Sequence, residues 1–143
     1  PMPAGLGFHP YFPCTGQTLL RFDASGAYPP MGNGPLAIQA LDATNSFTTL
    51  RPVSGTGLDH CYAGWHGPAT IIQPETGLQV SVTPLRGARH CVVYTPVDKP
   101  YFCLEPVSHL TGAFEARDPA AAGLELLHPG AALDLAISIE ARR

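Results

Sequence analysis

The sequence predicts an all-β chain, an antiparallel β-sandwich with long functional loops on one side. Three observations carry this expectation. Sixteen prolines and 15 glycines are spread along 143 residues. That spacing leaves little room for long helices, because proline removes a backbone donor and clashes within a helix. Short runs suited to strands lie between these turn residues. Charged residues make up 13% of the chain and apolar residues 45%. So low a charge, against a typical share of about a quarter, suits a sheet-rich protein or part of a larger globule.

In chain order, strands are expected at Thr18–Phe22, Ala69–Gln73, Leu78–Thr83, His90–Thr95, Tyr101–Glu105 and Leu133–Glu140. Pro29–Pro35 reads as a rigid loop within one domain, since composition is similar on both sides. Pro74-Glu75-Thr76-Gly77 sits between two expected strands and reads as a hairpin turn, with Thr76-Gly77 where a positive φ is useful. Ala116–Gly123 is an alanine-rich connection with room for one helical turn, and His128-Pro129-Gly130 is a turn into the last strand. That strand alternates: Leu133, Leu135, Ile137 and Ile139 share one face, and Asp134, Ala136, Ser138 and Glu140 the other. No internal repeat or low-complexity segment is visible.

Charge narrows the function. The net charge is −3 and the eight Lys and Arg are scattered. Nucleic-acid binding is not expected, because neutralising phosphates needs clustered cations. No apolar run approaches the roughly 18 residues that span a bilayer, so no membrane partner is expected. Cys14, Cys61, Cys91 and Cys103 show no C-x-x-C pairing and are too sparse for a disulfide scaffold. They read as reduced, mostly buried thiols, which points to a cytoplasmic location.

Two distant segments hold the candidate chemistry. Gly5-Leu6-Gly7-Phe8-His9-Pro10-Tyr11-Phe12 sets a histidine among aromatic residues and a proline, and Pro10 pushes His9 towards extended backbone. Tyr101-Phe102-Cys103-Leu104-Glu105-Pro106 ends a buried-looking strand on a carboxylate. Buried charge is costly unless paired or used, and burial would make Glu105 a stronger base. Such a His/Glu pair can give and take protons on one small molecule, and aromatic neighbours such as Tyr11 suit a sugar. The bland readings are an edge histidine beside a turn and a structural glutamate.

A third stretch, Leu58-Asp59-His60-Cys61-Tyr62, is followed by the single tryptophan, Trp65. Asp59 could accept hydrogen bonds from sugar hydroxyls, and Trp65 could pack on a sugar ring. Otherwise Asp59 caps a turn and Trp65 fills the core. His60, His66, His90, His109 and His128 show no metal-ligand spacing, so no metal is expected. No nucleophile elbow, P-loop or dinucleotide fingerprint is present, and Gly5-x-Gly7 lacks a third glycine in place.

The three motifs, in this order, resemble the aldose 1-epimerase (galactose mutarotase) family. Gly-Phe-His-Pro-Tyr-Phe at 7–12 is similar to its His-Pro-Tyr-Phe or His-Ser-Tyr-Phe segment, and Leu58–Tyr62 to its Leu-Asp-His/Asp-aromatic segment. Val93-Tyr94-Thr95-Pro96 and Phe102-Cys103-Leu104-Glu105-Pro106 resemble the late strand pair that delivers its catalytic glutamate. The resemblance implies the galactose mutarotase-like supersandwich, with residues 1–143 as the C-terminal portion of a single domain. The family's earlier half, with a substrate-contacting Arg and another His, is not present before His9. Strands whose partners belong to that half would present open edges. Phe12-Pro13 stands where many members continue Phe-Asn-Leu.

The resemblance also assigns roles. His9 is the general acid that protonates the ring oxygen, Glu105 the general base that deprotonates the anomeric hydroxyl, and Asp59 a binder of sugar hydroxyls. The expected partner is a small-molecule aldose such as galactose or glucose, with no cofactor. Oligomeric state is open. The alternatives are a non-catalytic carbohydrate-binding homologue and a hexose-6-phosphate 1-epimerase, for which Arg86, Arg89 and Lys99 are the nearby candidate cations. A glycoside hydrolase pairing Glu105 with Asp59 would leave the His-Pro-Tyr-Phe segment without a role.

Overall fold

The computed structural model describes residues 1–28, 30 and 37–143. The expected Pro29–Pro35 loop therefore lies outside the described residues, apart from Pro30. Among the described residues there is no helix, so none is long and apolar enough to cross a membrane.

Among the described residues twelve strands form: β1 (Met2–Ala4), β2 (Tyr11–Pro13), β3 (Leu19–Asp23), β4 (Gly26–Tyr28), β5 (Arg51–Pro52), β6 (Asp59–Ala63), β7 (His66–Gln73), β8 (Leu78–Arg86), β9 (His90–Tyr94), β10 (Tyr101–Val107), β11 (Glu125–Leu127) and β12 (Ala136–Arg142). They make two five-stranded sheets, ordered β2-β10-β9-β6-β4 and β12-β8-β7-β3-β5, and a two-stranded ribbon β1-β11. Every pairing is antiparallel.

Alternation explains the layers. In β10, Phe102 and Leu104 have no solvent exposure and join the main core. They meet Phe12, Tyr62 and Val93 from their own sheet and Leu20, Phe22, Ile71, Val80 and Val82 from the other. Successive side chains of a strand point to opposite faces, so Tyr101, Cys103 and Glu105 lie on the outer face of the first sheet. Phe22, Phe47 and Tyr62 form an aromatic cluster, with Phe22 and Tyr62 edge-on at 4.8 Å. The Tyr62 hydroxyl donates to the Asn45 carbonyl at 2.7 Å, which satisfies its buried polar end.

The outer face of the first sheet is partly covered. Leu110, Ala113, Ala122 and Leu124 form a second cluster with Cys61, flanked by Tyr28, Val92 and Val107. The segment 108–124 therefore lies over the β4/β6 side of this sheet and leaves the β2/β10 side open. The connection expected at Ala116–Gly123 is a chain of turns; its helical character is limited to Ala122 N–H donating to the Asp118 carbonyl, four residues back.

Six expected strands correspond to β3, β7, β8, β9, β10 and β12, and the hairpin at Pro74–Gly77 joins β7 to β8 with Gly77 at φ 67°. Thr76 keeps a negative φ. The last strand starts at Ala136, after Leu133 and Leu135, and its apolar face is only partly covered. Leu135 and Ile137 pack against the core, but Ile139 is 49% exposed. The reason is position: among the described residues β12 is an edge strand paired with β8 alone.

Two substitutions test this architecture. Phe102→Ala should destabilise by about 3–5 kcal/mol, the range for emptying a fully buried aromatic site. Gly87→Ala should also destabilise, because Gly87 holds φ at 72° and an added Cβ would run into the Asp134 carbonyl oxygen. Chemical denaturation read by tryptophan fluorescence measures both; stability unchanged in Phe102→Ala would contradict the packing described.

Candidate active site

The pairing of β2 with β10 builds the site. Tyr11 lies opposite Cys103 and Phe12 opposite Phe102. The same register continues beyond β2, where Phe8 N–H donates to the Pro106 carbonyl at 2.9 Å and Gly7 bridges to Val107. Carried through, it sets His9 directly across from Glu105. Residues directly opposite in an antiparallel pair have neighbouring side chains, and His9 Nε2 lies 3.3 Å from Glu105 Oε1. Pro10 has no N–H to give to the ladder, and the assigned strand begins only after it, at Tyr11.

The site continues across the sheet. Cys103 pairs on its other side with Tyr94, and Tyr94 with Asp59. One row of the outer face therefore reads Tyr11, Cys103, Tyr94, Asp59. The adjacent row reads His9, Glu105, Val92, Cys61. Asp59 is held in place by the loop before it. The Thr95 hydroxyl oxygen accepts from Leu58 N–H at 2.6 Å, and Thr95 N–H donates to the Leu58 carbonyl at 2.8 Å. Thr56 and Thr95 hydroxyls lie 2.9 Å apart and complete the clamp.

Aromatic rings wall the open side. The His9 ring stacks on Tyr11 at 4.9 Å and 15°, and Tyr11 meets Tyr101 edge-on at 5.1 Å. Tyr11 is 61% exposed, so a flat apolar surface faces solvent beside the His/Glu pair.

Electrostatics separate the two partners. The His9 side chain is 55% exposed and that of Glu105 only 15%. Burial is the main force pushing the Glu105 carboxyl above the usual carboxylate range; His9 pulls it back down and the Asp59 charge raises it further. Burial also lifts the neighbouring Cys103 thiol to about 11.

The structure thus brings His9, Tyr11, Asp59 and Glu105 onto one face. It does not bring Trp65 there. The expectation that Trp65 packs on substrate is corrected: the indole is 4% exposed and sits in the core between the sheets. The strand alternation that points Asp59 and Cys61 outward turns Tyr62 inward, and the chain beyond β6 carries Trp65 to the same core. Its Nε1 has no hydrogen-bond partner among the described residues.

Sequence reasoning missed Tyr94 and Cys103 as members of the face; the i, i+2 spacing of Cys103 and Glu105 was the available signal. The donor atoms of His9, Cys103 and Glu105 all lie within 4.8 Å of one another. No sequence spacing announces that group, because it spans two strands. Three of the other histidines make local contacts: His90 Nδ1 accepts from Gly64 N–H, His66 Nδ1 lies 2.8 Å from the Gly64 carbonyl, and His109 Nδ1 lies 3.2 Å from the Ser108 hydroxyl.

Comparison with known proteins places the chain in a family. The aldose 1-epimerase family model matches residues 1–140. The uncharacterized protein YphB of Escherichia coli K12 is 35% identical over 118 residues, covering 76% of this chain and 40% of that protein. A solved structure from E. coli K12, provisionally assigned as an aldose 1-epimerase, superposes with a TM-score of 0.78 at 28% identity, over 98% of this chain and 50% of the other. A galactose mutarotase-like protein of Clostridium acetobutylicum shares the fold, with a TM-score of 0.75 at 12% identity over 99% of this chain and 48% of its own. The chain spans about half the length, or less, of these relatives. Its motifs, its antiparallel sandwich and a match along nearly its whole length establish that this chain belongs to the aldose 1-epimerase family.

Proposed function

We propose that the protein interconverts the α and β anomers of a free aldose, with Glu105 as general base and His9 as general acid. The single observation behind this reading is the 3.3 Å approach of His9 Nε2 to Glu105 Oε1 on an open, aromatic-walled face. Opening a cyclic hemiacetal removes a proton from the anomeric hydroxyl and delivers one to the ring oxygen. Both oxygens are bonded to the same carbon, so base and acid must be neighbours. After rotation about the bond between C1 and C2 the roles reverse, and the ring closes on the other face of the carbonyl.

The environments suit the two roles. Glu105 is desolvated on one side and therefore more basic than an ordinary glutamate. His9 is exposed enough to exchange its proton with solvent between turnovers. Exposed Tyr11, stacked on His9, offers a ring to the apolar face of a sugar, and Asp59 offers a carboxylate to its hydroxyls. A phosphorylated sugar has less support: Arg86 pairs with Asp134 and Arg89 lies 3.9 Å from Glu125, which leaves Lys99. Lys99 follows the Tyr94 row, in a small cleft with Cys14, Ser54 and Tyr101.

Polarimetry of fresh α-D-galactose and α-D-glucose tests the reaction. Glu105→Gln and His9→Asn should each lose about 10²–10⁴ in kcat/KM while keeping the fold; near-normal turnover in either variant would refute the assignment. A titration by NMR of the Glu105 side-chain carboxyl tests the electrostatics. It should titrate above the ordinary 4.5. Because His9 lowers that value and Asp59 raises it, His9→Asn should move it up and Asp59→Asn down. The acid limb of kcat/KM requires ionised Glu105, so it should follow those shifts in the same directions.

A further inference from the structure

We propose that His9, Cys103 and Glu105 form a three-ligand site for a zinc-class divalent cation. The three donors are an imidazole nitrogen, a thiol sulfur and a carboxylate oxygen, which is the mixed N, S, O set that zinc accepts. Their atoms lie within 4.8 Å of one another, and the His9–Glu105 edge is already 3.3 Å. In a tetrahedral site with ordinary metal–ligand lengths, neighbouring donors are about 3.4–3.6 Å apart. The remaining contraction is small. His9, whose side chain is 55% exposed, has room on its solvent side to adjust.

The fold supplies the rest. Cys103 and Glu105 are two apart on β10, so they project from the same face, and β2 holds the His9 segment across from them. Cys103 has no solvent exposure, so the cation enters from the open side, between His9 and Glu105, and meets the sulfur last. As the metal–sulfur bond forms, the Cys103 thiol gives up its proton to solvent; no electron transfer is involved. Three protein donors leave one position for water or a sugar hydroxyl. The cation would engage the His9 Nε2 and Glu105 Oε1 atoms that the proposed proton transfers use. Occupancy would then stop turnover, a corollary that rests on the proposed function; the binding itself does not.

Cadmium titration of the chelator-treated protein tests the site, read by the ultraviolet charge-transfer band of a cadmium–thiolate bond. One equivalent should give the band. Cys103→Ala should abolish it, and His9→Asn should weaken binding by roughly tenfold or more. Cys14→Ser, which removes the one thiol outside the buried set, should leave the band intact. Absence of saturable binding, a band that survives in Cys103→Ala, or parent-like affinity in His9→Asn would overturn the proposal. If Cys103→Ala does not fold, the exposed His9→Asn variant decides alone. In protein shown to be active, zinc should abolish turnover reversibly with chelator; full turnover with the cation bound would overturn the corollary and leave the polarimetry result standing.

Discussion

The register between the His9 segment and β10 is the constraint on which the rest of the site depends. Phe12 must face inward with Phe102 and Leu104, because their burial builds the core. With a period of two, that choice sends Tyr11, Cys103 and Glu105 outward and seats His9 opposite Glu105. A slip of one residue would reverse every side chain of the short strand. Phe12 would leave the core and His9 would lose its partner together. Core packing and the His9–Glu105 pairing are thus selected by one geometric decision, and neither can drift without the other.

The same decision determines how much water Glu105 keeps. Its neighbour across β9 is Val92, and beyond that the segment 108–124 closes over Cys61. On the other side stands the partly exposed His9. The carboxylate lies at the border of a covered and an open region of one sheet face. Fully covered, it could not meet a substrate; fully open, it would be an ordinary surface glutamate. An ionised group left without full solvation is unfavourable for the fold, and the His9 charge offsets part of that penalty. Under the proposed function, stability and reactivity would pull against each other at this residue.

These placements differ in how legible they are from sequence. Glu105 stands out because a carboxylate interrupts an apolar run, and His9 because aromatic residues and a proline frame it. Both signals are contrasts with local expectation. Six of the seven longer strands are legible from alternation; β6 is not, because its Asp59-His60-Cys61-Tyr62-Ala63 run reads as a polar motif, and β1, β2, β4, β5 and β11 have two or three residues each and hold too few positions to show a period. Their partners define them. Trp65 reads as a sugar platform because it follows Asp59 closely, yet closeness in sequence does not say which face a side chain takes. Cys103 is silent for a different reason. A free cysteine reads as a small hydrophobe, and only the pairing with His9 across the sheet gives it a second possible role.

The two proposed roles of this face share a physical origin. The proposed proton transfers at adjacent oxygens need one proton donor and one proton acceptor held within a few ångströms of each other. A cation site needs the same closeness and one further donor. Alternation on β10 makes positions 103 and 107 the two outward neighbours of Glu105 within its own strand, and 103 is the one that carries a metal-ligating side chain, so its identity sets whether the pair can also chelate. With Cys103 there, the thiol's burial limits access to cations arriving through His9 and Glu105. The His9 ring, exposed and stacked on Tyr11, then acts at the entrance to both chemistries. A sugar bound against Tyr11 would hold the ring in place over Glu105; a cation would draw it down towards the sulfur. One side chain cannot do both at once, so sugar and cation should exclude each other on this face.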